Sequence, residues 1–233
     1  MEDKRNNQAS ETQSHDLTSS AQSTMVPRLI LASASPRRAE ILRTVGWPFE
    51  ALPADIDESR HSGEDAVIYV ERVARAKAEA AALLAPIATV LGADTVVVVE
   101  GEILGKPLDA EDARRMLRLL QDRWHQVLTG VALVNGEIGS SRTAHEVTEV
   151  RFAAMSEDEI SWYVATGEPM DKAGAYAIQG KGARFVKEIS GDYFNIVGLP
   201  VRLVYELVSG ALARPLGSPT GQPGWGGTVR EGS

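Results

Sequence analysis

Leu29-Ile30-Leu31-Ala32-Ser33-Ala34-Ser35-Pro36-Arg37-Arg38 is the stretch whose reading decides the fold. The run from Arg28 to Ala32 reads as a short buried strand, nearly continuous in apolar residues. Small residues then turn the chain, and Ser35-Pro36 supplies a helix N-cap with proline at the first helical position. Ile41, Leu42 and Val45 line one face of that helix, and Gly46 with Pro48 ends it. A strand that passes through a small-residue loop into a helix gathers free backbone N–H groups and the positive end of the helix dipole. That arrangement suits an anion. Arg37 and Arg38 in the first turn oppose the dipole, so they are either a solvated surface pair or a bidentate clamp for a phosphate.

Working outward, the periodicity alternates between helix and strand. A second helix is expected from about Glu64 to Leu84 and a strand from Val90 to Val99, which turns through Glu100-Gly101 into Glu102-Ile103-Leu104. Asp109 opens a third helix with Met116, Leu117 and Leu120 inward. Val127–Val134 and Ala144–Phe152 read as strands joined through the Asn135-Gly136 turn signal. Ser156 and Glu159 form a capping-box pattern for a helix that stops at Gly167, and residues 200–209 form the final helix. Hairpins and spaced strands interleave with helices, which predicts an α/β class with a mixed sheet. The stretch before residue 27 is polar, with almost nothing to bury, and the stretch after 209 is rich in Gly and Pro. Both are expected to be flexible tails (1–26 and 210–233) around a working domain at 27–209. Trp225 stands alone in the second tail and is expected to be incidental.

Composition narrows the functions. The chain of 233 residues is 43% hydrophobic and 24% charged, enough to fill a real core. It has no cysteine, which excludes disulfides and thiolate metal sites and fits a reducing cytoplasmic compartment. No apolar run is long enough to span a bilayer, and the first residues lack a signal-peptide core. A net charge of −8 argues against a nucleic-acid polymer as partner, so an anionic ligand needs locally concentrated Lys and Arg. Walker, dinucleotide and nucleophile-elbow signatures are missing. His15, His61, His125 and His145 have no zinc-ligand spacing and read as surface or solvated residues.

Three further positions carry chemistry. Lys77 sits at the margin of the helical stripe Val67, Val70, Ala74, Ala78, Ala81, where it either snorkels or adds to a cationic site. Lys106, in the loop Gly105-Lys106-Pro107, means little alone. Asp94 interrupts an apolar strand, where an unpaired carboxylate is costly. It is therefore metal-bound, strongly hydrogen-bonded or at the lip of a cleft, with a simple turn as the bland alternative. Glu58, in Asp55-Ile56-Asp57-Glu58, is either a second carboxylate for a divalent ion or plain solvated charge.

The opening stretch resembles the signature of the Maf family of nucleotide pyrophosphatases. Leu91-Gly92-Ala93-Asp94-Thr95, Gly105-Lys106-Pro107, the run Ala173-Gly174-Ala175-Tyr176-Ala177-Ile178-Gln179-Gly180 and the run Gly191-Asp192-Tyr193-Phe194-Asn195-Ile196-Val197-Gly198-Leu199-Pro200 are similar to its later motifs, in order, over about 28–209. The resemblance implies a two-lobed fold with an elongated mixed sheet and a nucleotide cleft between the lobes. It also implies divalent-metal-dependent (Mg²⁺ or Mn²⁺) house-cleaning hydrolysis of nucleoside triphosphates between the α- and β-phosphates. By the same resemblance Arg37, Lys77 and Lys106 hold the triphosphate, and Ser33 and Arg38 line the same loop. Glu58 and Asp94 manage metal and water, with Asp94 as general base.

Within the family, Arg38, Thr95 and Gln179 match the set of the pyrimidine class, implying dTTP and UTP as substrates. By periodicity alone Gln179 is only a polar residue at a strand end. The resemblance also leaves two rivals: a nucleotide-sensing regulator of septum formation and division, and a pyrophosphatase of methylated guanine nucleotides. A homodimer is compatible with it, and no membrane partner is implied.

Overall fold

Leu29, Ile30 and Leu31 form β1 (Leu29–Leu31), flanked by β2 (Phe49–Ala51) and β3 (Thr89–Val99), both parallel to it. In the computed structural model, which describes residues 26–213, β4 (Glu102–Leu104), β5 (Trp124–Asn135), β6 (Ser140–Phe152) and β7 (Val186–Ser190) complete the sheet. The order is β2-β1-β3-β5-β6-β7, with β4 paired to β3. Every pairing beyond β1 is antiparallel, so the mixed α/β sheet expected from the sequence is present.

The helices are α1 (Pro36–Thr44), α2 (Ala66–Ala82), α3 (Ala110–Leu120), α4 (Glu157–Ala165), α5 (Tyr193–Val197) and α6 (Val201–Ala213). Their starts follow cap chemistry. The Asp65 carboxylate accepts from the Val67 N–H, that of Asp109 from those of Glu111 and Asp112, and Ser156 with Glu159 closes a full capping box. α1 differs, because the Ser35 side chain makes no cap bond and Ser33 Oγ accepts from the Ser35 N–H instead.

Two smaller apolar clusters lie beneath α2, and the two largest lie towards opposite ends of the long strands. One joins Val97, Val99 and Val127 to Leu117, Phe152, Ile160 and Tyr163. The other joins Leu91, Ala93, Val131 and Leu133 to Leu29, Leu42 and Leu199. Because β3 and β5 run through both, the two lobes share one sheet. β1 pairs with Thr89–Leu91 of β3, whereas β4 pairs with Val97–Val99 on the same edge. Among the described residues, Gly92–Val96 therefore have a strand neighbour on the β5 side only. That gap is where a cleft can reach the sheet.

Several boundaries depart from expectation. Val45 is exposed, because α1 ends at Thr44 and Val45 is its C-cap rather than a core residue. The hairpin turn is longer than a two-residue loop. Asn135 stays in the ladder opposite Ser140 and its Oδ1 accepts from the Glu137 and Ile138 N–H groups, so residues 136–139 make the connection. β2 is too short and β7 too exposed to leave a hydrophobic pattern. α6 continues to Ala213. The remaining tail positions, with His15 and Trp225, lie outside the described residues.

Candidate active site

Asp94 stands in the unpaired stretch of β3, on the face it shares with Gly92 and Val96, and its partner across β5 is Gly130. The two glycines explain why a helix lies so close. A Cβ on Gly92 would meet the Ala74 carbonyl oxygen at 2.1 Å, and one on Gly130 would meet that of Val70 at 2.3 Å. With no side chain at either position, α2 rests directly on the sheet. Lys77 Nζ then reaches Asp94 Oδ1 at 2.8 Å and Glu58 Oε1 at 3.0 Å. Lys77 does not snorkel: it is 8% exposed and Asp94 7%. Each charge compensates the other in an apolar surround, which answers the cost of a carboxylate inside a Val-rich strand. Glu58, by contrast, is exposed and reaches in from the β2–α2 loop.

The two arginines of α1 diverge and do not form a joint clamp. Arg38 is buried and all three of its guanidinium nitrogens are occupied. Nε donates to the Gly198 carbonyl at 2.7 Å, Nη1 to Ser33 Oγ at 3.0 Å and Nη2 to Thr95 Oγ1 at 3.0 Å. Thr95 in turn meets Thr129 Oγ1 at 3.0 Å. Burial pulls the Arg38 guanidinium below its ordinary value, while the Asp94 charge opposes that shift. Arg38 is thus a brace tying the β1–α1 loop to β3 and to the α5–α6 turn. Arg37 instead crosses the cleft. Its Nη1 lies 2.9 Å from Asp171 Oδ2 and its Nη2 is 3.2 Å from the Asp171 carbonyl. Burial would push the Asp171 carboxyl up, but hydrogen bonds from Lys172 and Arg37 outweigh it and hold it at about 2.

The charged groups just described border one cavity of about 490 Å³. Ser33, Arg37, Arg38, Glu58, Lys77, Asp94, Thr95, Lys106 and Gln179, the complete set singled out from the sequence, line it. Lys106 follows β4 on the far lobe, where the Gly105 carbonyl accepts from the Gly174 N–H at 3.0 Å. Gln179 is exposed at the rim, between a 3-10 turn at Ala173–Ala175 and another at Lys181–Phe185.

Sequence reasoning missed Tyr69, Asp171, Lys172 and Tyr176, which also line the cavity. Tyr69 lies two helical turns before Lys77, a spacing that could have flagged it. Its hydroxyl donates to the Glu58 carbonyl at 2.9 Å, and burial together with Asp94 and Glu58 pushes the phenol up to about 12. Asp171-Lys172 directly precedes the Ala173 motif, and adjacent opposite charges there were the available signal.

His125 corrects the surface reading of the histidines. β5 starts at Trp124, three residues earlier than expected, so alternation turns His125 inward. It is 2% exposed, its Nε2 lies 2.9 Å from the Tyr176 hydroxyl, and burial lowers its pKa to about 4. His61 and His145 are exposed as read, with His145 Nδ1 2.7 Å from Glu71 Oε1.

A cleft of this size, with cations from both lobes around a sheltered carboxylate, suits a small polyanion. A family profile described as Maf-like protein matches residues 28–211, and the chain belongs to that family. A dTTP/UTP pyrophosphatase of Symbiobacterium thermophilum is 53% identical over 182 residues, covering 78% of this chain and 93% of the relative. Proteins of the same description from Anaeromyxobacter dehalogenans and Yersinia pestis are 54% and 50% identical. They cover 76% and 80% of this chain and 90% and 94% of their own lengths. Among solved structures, that of the Staphylococcus aureus Ham1 protein aligns with a TM-score of 0.46 at 16% identity, over 79% of this chain and 99% of that one. Among the described residues no helix is long and apolar enough to cross a membrane.

Proposed function

We propose that this protein hydrolyses dTTP and UTP between the α- and β-phosphates, releasing the nucleoside monophosphate and pyrophosphate. The enzyme class rests on family membership and on relatives about half identical over nearly their whole length. The observation that carries the site assignment is Asp94, a nearly buried carboxylate at the floor of the cavity, anchored through Oδ1 by Lys77. Its other oxygen makes no hydrogen bond to a described residue and is free to orient and deprotonate a water for in-line attack. Lys77 and Lys106, with Arg37 once it leaves Asp171, neutralise the triphosphate oxygens, so positioning and charge supply most of the rate. No protein nucleophile is needed.

The oxygen donors at the cavity floor suit a divalent ion in part. Asp94 and Glu58 converge on one ammonium, and no group of three or more His, Asp or Glu side chains is placed to hold a metal ion by itself among the described residues. Two carboxylates fit Mg²⁺ or Mn²⁺ only when substrate phosphates complete the shell, which is the usual Mg²⁺ arrangement. Bound there by Asp94 and Glu58, the ion would neutralise charge on the phosphate oxygens.

Base choice falls to Gln179 at the rim. Its amide can donate to one uracil or thymine carbonyl while accepting from the ring N–H, whereas a glutamate could only accept. Arg38 and Thr95, bonded to each other, serve as the fixed wall beside it. CTP is the weaker substrate because its exocyclic amine reverses one hydrogen bond. A house-cleaning role in a cytoplasmic nucleotide pool is the setting this chemistry fits.

The test is pyrophosphate release with Mg²⁺ across dTTP, UTP, CTP, GTP and 7-methyl-GTP, with Gln179→Glu beside the parent. dTTP and UTP should lead, and Gln179→Glu should lower them more than it lowers thermal stability. Preference for a guanine nucleotide would overturn the pyrimidine assignment. Tight nucleotide binding with no pyrophosphate release would point to a sensing regulator.

A further inference from the structure

Gln179 sits in a loop with no regular strand or helix to fix it, yet base discrimination needs its amide held to a fraction of an ångström. Two side chains outside the cavity lining grip that loop on both sides of Gln179. Ahead of it, the Ala177 N–H donates to the Tyr163 hydroxyl at 3.1 Å. Beyond it, the Lys181 N–H donates to Glu168 Oε2 and the Gly182 N–H to Glu168 Oε1, both at 3.0 Å. The two anchors are joined, since the Tyr163 hydroxyl donates to Glu168 Oε1 at 2.9 Å.

The loop's glycines are shaped to this grip. Gly180 has φ +117°, and a Cβ there would sit 2.7 Å from Glu168 Oε2; a Cβ on Gly182 would sit 2.5 Å from the Tyr163 hydroxyl. Gly180-Lys181-Gly182 therefore lets backbone lie directly on a phenol and a carboxylate. Tyr163 is fully buried in α4, edge-on to Phe185. Burial would push the Glu168 carboxyl up, but the Lys181 and Gly182 N–H groups and the Tyr163 hydroxyl bring it below the ordinary carboxylate value. It thus remains an anionic acceptor for the loop.

We infer that Tyr163 and Glu168 form a clamp that holds the Ala177–Gly182 loop and sets the amide of Gln179 for base selection. Both act as positioning residues. This rests on the assignment of base reading to Gln179. The clamp makes no hydrogen bond to Asp94, Lys77, Lys106 or Arg37. Of the clamp, Lys172 Nζ meets only the main-chain carbonyl of Glu168, at 3.2 Å, which side-chain substitutions leave in place. Loss of the clamp should therefore blur the choice of base while leaving the phosphate site intact.

The experiment measures kcat/KM for dTTP, UTP and CTP in the full-length parent and in Tyr163→Phe, Glu168→Gln and Gln179→Ala, with inhibition by inorganic pyrophosphate and Tm alongside. Tyr163→Phe keeps the buried ring and removes the hydroxyl. Glu168→Gln turns an amide N–H₂ against one of the two backbone donors. Each is expected to lower kcat/KM for dTTP and UTP by about tenfold, the worth of one misaligned hydrogen bond. The loss for CTP should be less than about threefold and the pyrophosphate inhibition constant should stay level. If Tyr163→Phe does not fold, Glu168→Gln decides alone.

A lowered Tm with an unchanged dTTP-to-CTP ratio, in the presence of a ratio change in Gln179→Ala, makes the pair merely structural and overturns the clamp. An unchanged ratio in Gln179→Ala removes the base-reading assignment itself, and the clamp falls with it.

Discussion

Replacing Asp94 by Asn separates chemistry from folding more cleanly than any other single change at this site. The Lys77–Asp94 contact of 2.8 Å represents a gross attraction of about 6 kcal/mol at an effective dielectric of about 20. Most of that is offset by the desolvation of two charges that are each less than a tenth exposed. In the Asn variant the amide oxygen still accepts from Lys77, which also keeps Glu58 at 3.0 Å, so no charge is left buried and alone. The expected net change is about 1 kcal/mol or less in either direction, a Tm shift of about 2–4 °C for a domain of this size.

Turnover should nevertheless fall by about 10²–10⁴-fold, the usual contribution of a positioned general base. The complementary change, Lys77→Met, does the reverse to stability. It leaves the Asp94 carboxylate without its cation at the cleft floor and should cost about 3 kcal/mol. Pyrophosphate release from dTTP and differential scanning fluorimetry on the two purified variants read both quantities. A folded Asp94→Asn protein that turns over within tenfold of the parent would refute the assignment of Asp94 as base. So would a Tm loss in Asp94→Asn as large as in Lys77→Met, because the carboxylate would then be serving the fold.

Three further outcomes follow from the same geometry. Gly92→Ala drives a methyl group into the Ala74 carbonyl, where the built Cβ lies at 2.1 Å. The displaced α2 should lower stability by about 1–3 kcal/mol and reduce activity by moving Lys77; unchanged melting and kinetics would show that α2 is not held at this contact. His125 is held neutral by burial, with a pKa of about 4 against about 6.5 when unfolded. The unfolded chain binds the extra proton between those values, so stability should decline as pH falls from about 6.5 to about 4, by on the order of 3 kcal/mol. Asp171, held at about 2, stabilises fully above its ordinary value of about 4 and loses that contribution only as pH falls from there towards about 2. Denaturant titrations of the parent and His125→Gln should show a steeper slope in the parent, most clearly between about pH 6.5 and 5, before carboxylates such as Glu64 and Glu168, held below their ordinary values, add a slope common to both. Removing residues 1–25 and 214–233 should leave kcat/KM and Tm nearly unchanged, since the family match spans 28–211 and the cavity lining lies between Ala32 and Gly198. A large loss in either would assign those ends a part in the fold or the site.

The sequence by itself determined the elements whose signals are local. The apolar run at Leu29–Leu31, Pro36 opening α1, the Asp109 cap and the Ser156–Glu159 box are chemistry within a few residues, and each appears in the structure. It also marked Asp94 as anomalous, because a carboxylate among valines demands a partner wherever the strand ends up. The partner was another matter. Lys77 is 17 residues away and meets Asp94 only because Gly92 and Gly130, on two different strands, let α2 settle on the sheet. Periodicity places Lys77 at the edge of a stripe but cannot say how closely that edge approaches the strand.

The neighbouring arginines make the same point. Adjacent in sequence and alike in charge, they part because one faces the Gly198 carbonyl 160 residues away and the other faces Asp171 across 134 residues. His125 looked solvated until the true start of β5 set its side of the sheet. The cleft itself lies in the gap that β1 and β4 leave along one edge of β3, so it belongs to strand pairing and to no stretch of sequence. Short-range propensities select elements, whereas burial, ion pairing and the gap depend on distances that exist only after the elements have packed.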